Sequence, residues 1–102
     1  RVRALAASAE EVLALLERDP TDMRRARRFL AVYLVGARDA TVRYAQAVET
    51  GGADEARGGF LALLDDLDAN FARSREALAQ DDRDALDVEI EVLRDRLQLE
   101  GV

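Results

Sequence analysis

The chain has 102 residues, of which 49% are hydrophobic and 35% are charged, and its formal net charge is −6. This balance predicts one soluble globular domain and excludes a disordered chain or a membrane-spanning segment. Cysteine and histidine are absent, which excludes disulfides and thiolate metal sites and removes the most common general base. The acidic charge argues against nucleic acid as a partner, because duplex binding depends on neutralising many phosphates.

Apolar residues recur every three or four positions, which predicts amphipathic helices along the whole chain. The first helix covers about residues 2–18, and its buried stripe is Leu5, Ala9, Val12 and Leu16. The second covers about residues 20–49, since Asp19 and Pro20 are typical of a helix start. Its seam is expected to hold eight residues: Met23, Ala26, Leu30, Tyr33, Ala37, Ala40, Tyr44 and Ala47.

The second half of the chain predicts a loop and two further helices. Four glycines lie within residues 50–59, and we expect a flexible loop there. The third helix is predicted over about residues 58–80, with a seam of Phe60, Leu64, Leu67, Phe71, Ser74 and Leu78. The fourth is predicted over about residues 84–100, with Leu86, Ile90, Leu93 and Leu97 facing inward and Gly101 as its terminator.

Residues 87–92 alternate with period two, as a strand would. We predict a helix instead, because no second strand is available and the segment continues into a helical pattern. Short connections favour up-down-up-down packing. The sequence therefore predicts an all-α, antiparallel up-down-up-down four-helix bundle, with residues 1–102 as a single domain. Because the chain begins at Arg1, we also expect it to lack upstream residues of the full-length protein.

Two acidic clusters raise the alternative of a metal-dependent phosphatase, because carboxylate oxygens suit magnesium and calcium. The clusters have neither the spacing of a calcium loop nor the Glu-x-x-His pair of a di-iron bundle. They are more typical of solvated helix faces, so we predict no catalytic residue, no metal site and no cofactor. The clusters comprise Asp65, Asp66 and Asp68, and Asp81, Asp82, Asp84, Asp87, Glu89 and Glu91.

Four arginines lie within five positions near the start of the second helix, and they repel each other unless an anion lies close. That anion is a membrane surface, a phosphate or an acidic neighbour within the chain. The alternative is that the arginines form a plain solvated face. In an up-down bundle the second and fourth helices start at the same end. We therefore predict a charge patch between these helices, in which at least one arginine pairs with an acid, as the candidate interaction site. Its members are Arg24, Arg25, Arg27 and Arg28 with Asp84, Asp87, Glu89 and Glu91.

Three segments resemble one protein family: residues 24–34 (RRARRFLAVYL), residues 60–67 (FLALLDDL) with Phe71, and residues 86–93 (LDVEIEVL). Together they make the chain similar to the XpaC-like, or 5-bromo-4-chloroindolyl phosphate hydrolysis, proteins over about residues 20–100. The resemblance implies a bacterial protein, tethered in some members to the cytoplasmic membrane by N-terminal spans. It also implies a link with tellurite or toxic-anion resistance proteins of the TelA type.

The family name suggests phosphate-ester hydrolysis, but no set of residues in this sequence is able to perform that reaction. We expect a non-catalytic interaction domain with a protein partner, by resemblance a TelA-type protein, that is linked to toxic-anion resistance or envelope stress. Its effect on hydrolysis is expected to be at most indirect. The alternatives are a metal-dependent phosphatase and a membrane-surface module that uses the arginines. We expect a location in the cytoplasm or at the cytoplasmic face of the inner membrane, with membrane contact only through an upstream anchor. The sequence leaves the oligomeric state open.

Overall fold

A computed structural model describes residues 1–100, with the side chains of residues 1–98. It contains four α-helices: α1 (Val2–Glu17), α2 (Met23–Glu49), α3 (Ala53–Ala79) and α4 (Arg83–Glu100). A short 3₁₀ helix, Pro20–Asp22, precedes α2. The described residues contain no strand, and residues 87–92 are helical, as predicted. The predicted terminator of α4, Gly101, lies outside the described residues.

The apolar faces of the helices pack into one core. All four predicted stripe residues of α1 and all four of α4 are buried, as is most of the predicted seam of α3. In α2 the prediction is less accurate, because Met23 is exposed and Phe29, outside the seam, is fully buried. Phe29 packs with its ring centroid 5.7 Å from that of Phe71. The buried face of α2 is wider than one seam because α2 contacts all three other helices.

The order of paired residues follows the direction of each helix. Between α2 and α3 the pairs run in opposite order, with Phe29 against Phe71 and Tyr44 against Phe60. Between α2 and α4 they run in the same order, since Arg25 contacts Asp87 and Gly36 lies beside Leu97. This is the order that an up-down-up-down path produces. It brings the start of α2 next to the start of α4.

The predicted loop over residues 50–59 is wrong, because α3 already begins at Ala53. The connection consists of Thr50, Gly51 and Gly52 only. Gly51 adopts a φ of 89°, and the N–H groups of Gly51 and Gly52 donate to the carbonyls of Val48 and Ala47. These two bonds form a Schellman motif, which ends α2 and turns the chain within three residues. Gly58 and Gly59 consequently lie inside α3, where each costs up to about 1 kcal/mol relative to alanine.

Aspartates shape the two other connections. Asp19 accepts hydrogen bonds from the backbone N–H and the hydroxyl of Thr21, both at 2.9 Å, and so caps the 3₁₀ helix. At the end of α3, Asp81 takes the left-handed conformation with a φ of 54° and completes a second Schellman motif. The carboxylate of Asp82 then accepts from the backbone N–H of Ala85 at 2.9 Å, which caps α4.

The helices differ in length, and the difference shapes the molecule. α2 and α3 have 27 residues each, whereas α1 has 16 and α4 has 18. The far ends of α2 and α3 therefore form a hairpin at one end of a body measuring 46 × 20 × 19 Å. Tyr44 and Phe60 stack within this hairpin, with ring centroids 4.7 Å apart. None of the described helices combines the length and apolar content that crossing a bilayer requires.

Candidate interaction site

The structure brings the arginines of α2 against the acids of α4. The Nε of Arg25 donates to Oδ1 of Asp87 at 2.7 Å, and its Nη2 donates to Oδ2 at 3.1 Å. One turn further along, Arg28 pairs with Glu91. A two-bond arginine–carboxylate contact also constrains geometry, because both planar groups must be coplanar. The charge patterning of the sequence predicts this kind of inter-helix pair.

A buried aspartate, which sequence reasoning did not single out, extends the network. Asp22 is only 5% exposed and accepts from Nε of Arg83 at 3.0 Å and from Nη1 of Arg25 at 3.4 Å. Arg83 also donates from Nη2 to Asp19 at 2.7 Å. One sequence feature indicates this role of Asp22: Arg83 lies at the start of α4, where the helix dipole disfavours a cation.

The hydrogen bonds and charges of the network lower the pKa of two of its carboxyl groups. The hydrogen bonds from Arg25 hold the pKa of Asp87 below its usual value. Hydrogen bonds from the backbone and hydroxyl of Thr21, assisted by the charge of Arg83, lower the pKa of Asp19. A general acid at neutral pH needs a pKa raised towards 7. Both shifts have the opposite direction, so these carboxylates are built to stay charged.

The other predicted members of the patch do not join this network. Glu89 turns towards α3, where its Oε2 accepts from Nε of Arg73 and from Nδ2 of Asn70, both at 3.0 Å. Asp84 is exposed and has no ion pair with any described side chain. Arg24 and Arg27 are likewise exposed and unpaired within the described part of the chain.

An open surface groove of about 570 Å³ lies over the paired helix starts. It is lined by Thr21, Arg24, Arg25, Arg28 and Asp87. Two of the three lining arginines are neutralised, because Arg25 pairs with Asp87 and Arg28 pairs with Glu91. The positive charge of the groove therefore comes from Arg24, which has no ion pair among the described residues. Such a surface attracts anionic groups of a partner, and its attraction falls with rising salt concentration.

The acids of α3 are also engaged by arginines. Arg1 pairs with Asp65 and Asp68, and the Nε of Arg96 donates to Asp66 at 2.6 Å. Asp65 and Asp68 share one cation and Asp66 faces another, so the three carboxylates do not converge on one centre. Among the described residues, no three acidic, cysteine or histidine side chains are grouped as a metal ion requires.

Comparison with known proteins points to one family. The family model described as 5-bromo-4-chloroindolyl phosphate hydrolysis protein matches residues 1–93. The matched part covers α1, α2, α3 and most of α4, and it includes every residue of the candidate site. Comparisons with curated proteins and with solved structures gave no match.

Proposed function

This chain belongs to the 5-bromo-4-chloroindolyl phosphate hydrolysis protein family, and from that premise we propose that it is a non-catalytic helical interaction domain. In this proposal it affects phosphate-ester hydrolysis only indirectly, by binding a partner protein. The observation that supports it most is the pairing of carboxylates with guanidiniums. Asp65, Asp66 and Asp87 each have an arginine as partner, which makes them structural charges rather than ligands of a reaction centre.

Cleavage of a phosphate ester needs an activated nucleophile or metal ions that stabilise the developing charge. The hydroxyl of Ser74 is buried and donates to the backbone carbonyl of Asn70 at 2.9 Å, so it serves the packing of α3. Burial raises the pKa of Tyr33, which disfavours the phenolate that would act as a nucleophile. Both hydroxyl groups are therefore poor candidates for catalysis.

The exposed guanidiniums of Arg24 and Arg27 favour a partner with an acidic surface. They lie beside the positive groove and carry no intramolecular ion pair among the described residues. The partner proposed here is a toxic-anion resistance protein of the TelA type, which the family resemblance suggests. The proposed place of action is the cytoplasm or the cytoplasmic face of the inner membrane.

A turnover assay tests the non-catalytic part of this proposal. The purified chain is incubated with an indolyl or nitrophenyl phosphate and with magnesium, manganese or zinc, and we expect no turnover above buffer. The variant Asp65→Asn/Asp66→Asn is compared with Glu17→Gln/Glu49→Gln, which also removes two exposed carboxylates. Turnover by the parent chain that disappears only in the first variant would show that the domain is an enzyme.

Co-purification tests the partner. A tagged full-length protein is expressed in its native bacterium, and the proteins bound to it are identified with and without Arg24→Glu/Arg27→Glu. We expect a TelA-type protein to be retained by the parent and lost from this variant. Its absence from both samples, with the chain intact, would refute the TelA link and leave the turnover result standing.

A further inference from the structure

The side of α2 that faces away from the core carries a second apolar stripe. Its residues lie on one face of the helix, interrupted at the centre by Arg38, and all of them are exposed. Leu34 is 54% exposed, Val35 53% and Val42 49%. The stripe, called the outer stripe below, consists of Ala31, Leu34, Val35, Val42, Ala45 and Val48.

An exposed apolar face on a helix indicates contact with another helix. The opposite, core-facing side of α2 packs on α1, α3 and α4, so the outer stripe is not needed to hold these helices together. Apolar residues with heptad spacing pack as knobs into the holes of a facing helix. Contiguous exposed apolar surface is typical of interaction sites in soluble proteins.

The two ends of the outer stripe carry opposite charge. Arg24 and Arg27 continue its spacing at the start of α2, and both lack an acidic partner among the described residues. Glu49, Asp54 and Glu55 lie at the other end, around the α2–α3 turn. They are exposed and form no ion pair in the described part of the chain. The stripe thus has one basic and one acidic end, about 35 Å apart along the helix.

We propose that the outer stripe is a self-association surface, on which α2 of a second copy packs antiparallel about a two-fold axis. This arrangement places Leu34 beside Ala45 of the second copy and Ala31 beside Val48 of the second copy. Each basic end then meets an acidic end, so the two unpaired arginines of each copy face the three unpaired acids of the other. Such a surface satisfies the self-complementarity that a two-fold interface requires.

The centre of the stripe fits the same symmetry. Arg38 is 72% exposed in its side chain and contacts Asp39 of its own chain at 3.2 Å. Near a two-fold axis, the Arg38 of each copy reaches the Asp39 of the other. Each Arg38 then lies close to the Asp39 carboxylate of the other copy, which offsets the repulsion between the two arginines.

Charge also distinguishes a second copy from the other occupants. A parallel pair of α2 helices would place basic ends together and acidic ends together. An anionic membrane would attract Arg24 and Arg27 but repel Glu49, Asp54 and Glu55, in a chain of net charge −6. Of these three arrangements, only the antiparallel copy satisfies both ends at once.

Sedimentation velocity of the 102-residue chain over a concentration series tests the proposal. We expect a reversible monomer–dimer equilibrium that weakens as salt is raised, since the interface is small and its ends are charged. Arg24→Glu/Arg27→Glu should weaken dimerisation at least about tenfold, and Leu34→Asp should do the same. The matched control is Arg3→Glu/Arg18→Glu, which reverses two exposed, unpaired arginines away from the stripe. This control should dimerise like the parent.

A charge-swap experiment tests whether opposite charges at the two ends of the stripe hold the copies together. Glu49→Arg/Glu55→Arg should be monomeric at concentrations at which the parent chain dimerises, because both ends of its stripe are then basic. Mixing this variant with Arg24→Glu/Arg27→Glu should restore a dimer, since basic then meets acidic at both ends. Circular dichroism verifies that each variant keeps its helical content, as expected for exposed positions.

Three results would overturn the proposal. They are a parent chain that stays monomeric at every concentration, dimers that neither variant weakens, and a charge-swap mixture that stays monomeric. Flotation of the parent chain with anionic vesicles in place of dimer formation would assign the stripe to a membrane instead. The proposal deepens the proposed interaction function, but its failure is separate: a monomer that shows no turnover refutes self-association and leaves the non-catalytic role intact.

Discussion

A methyl group added at Gly36 should destabilise the bundle, whereas the same change at Gly58 should stabilise it. An ideal Cβ at Gly36 would lie 2.6 Å from Cδ1 of Leu97 and 2.7 Å from its Cβ. Carbon atoms in contact normally lie about 3.5–4.0 Å apart. Because Leu97 is buried and its Cβ is fixed to the α4 backbone, rotation of the side chain does not relieve the contact, and α4 must move away from α2.

The expected size follows from two opposing effects. Alanine in place of glycine inside a helix stabilises by about 1 kcal/mol. Overpacking a core contact costs about 1–3 kcal/mol. Gly36→Ala should therefore lower the free energy of unfolding by about 0–2 kcal/mol. Gly58 and Gly59 lie inside α3 with no atom of another helix within 4 Å of the ideal Cβ, so only the helical gain remains, about 1 kcal/mol for each.

Thermal and urea unfolding, followed by circular dichroism at the helix band, measure both effects. Gly58→Ala should raise Tm by roughly 4–8 °C, as expected for 1 kcal/mol in a domain of this size. Gly36→Ala should leave Tm unchanged or lower it. Equal stabilisation by all three substitutions would refute the close approach of α2 and α4 at Gly36. Loss of stability at Gly58 would refute the helical assignment of residues 53–59.

Three further outcomes are expected. Asp22→Asn should lower the free energy of unfolding by about 1–2 kcal/mol, because Arg83, whose side chain is one-third exposed, loses its buried anionic partner. Urea unfolding measures this loss, and an unchanged midpoint would contradict the network. Phe71→Ala should cost about 3–5 kcal/mol, since the ring is fully buried; the same titration should show a large loss or no folded state. The folded-state pKa of Asp87 and Asp19 is lowered, so their stabilising contribution is present above a pH of about 4 and lost as pH falls below it. Asp87→Asn should make the stability decline between pH 6 and pH 3 shallower, and an unchanged slope would contradict the Asp87 pair.

The pairing of Arg25 with Asp87 shows how much of the candidate site the sequence pattern predicts. The charge run on α2, the acids of α4 and the up-down order predicted that such pairs form. They did not determine which residues pair, because guanidinium reach and helix rotation decide that. Glu89 lies on the same helix as Asp87, yet it faces Arg73 of α3. Asp22 was missed because burial of an acid depends on three segments that meet only in the folded chain.

The number of helices, their buried stripes in α1 and α4 and the helical state of residues 87–92 were determined by the sequence alone. Helical periodicity is a local property, so each apolar stripe is visible before the chain folds. The tertiary structure decided the burial of Phe29 and the close approach at Gly36. It also placed Gly58 and Gly59 inside α3 rather than in a loop. Glycine carries a local preference of only about 1 kcal/mol against the helix. The packing of α3 along α2 outweighs this preference, and no local sequence pattern reveals that packing.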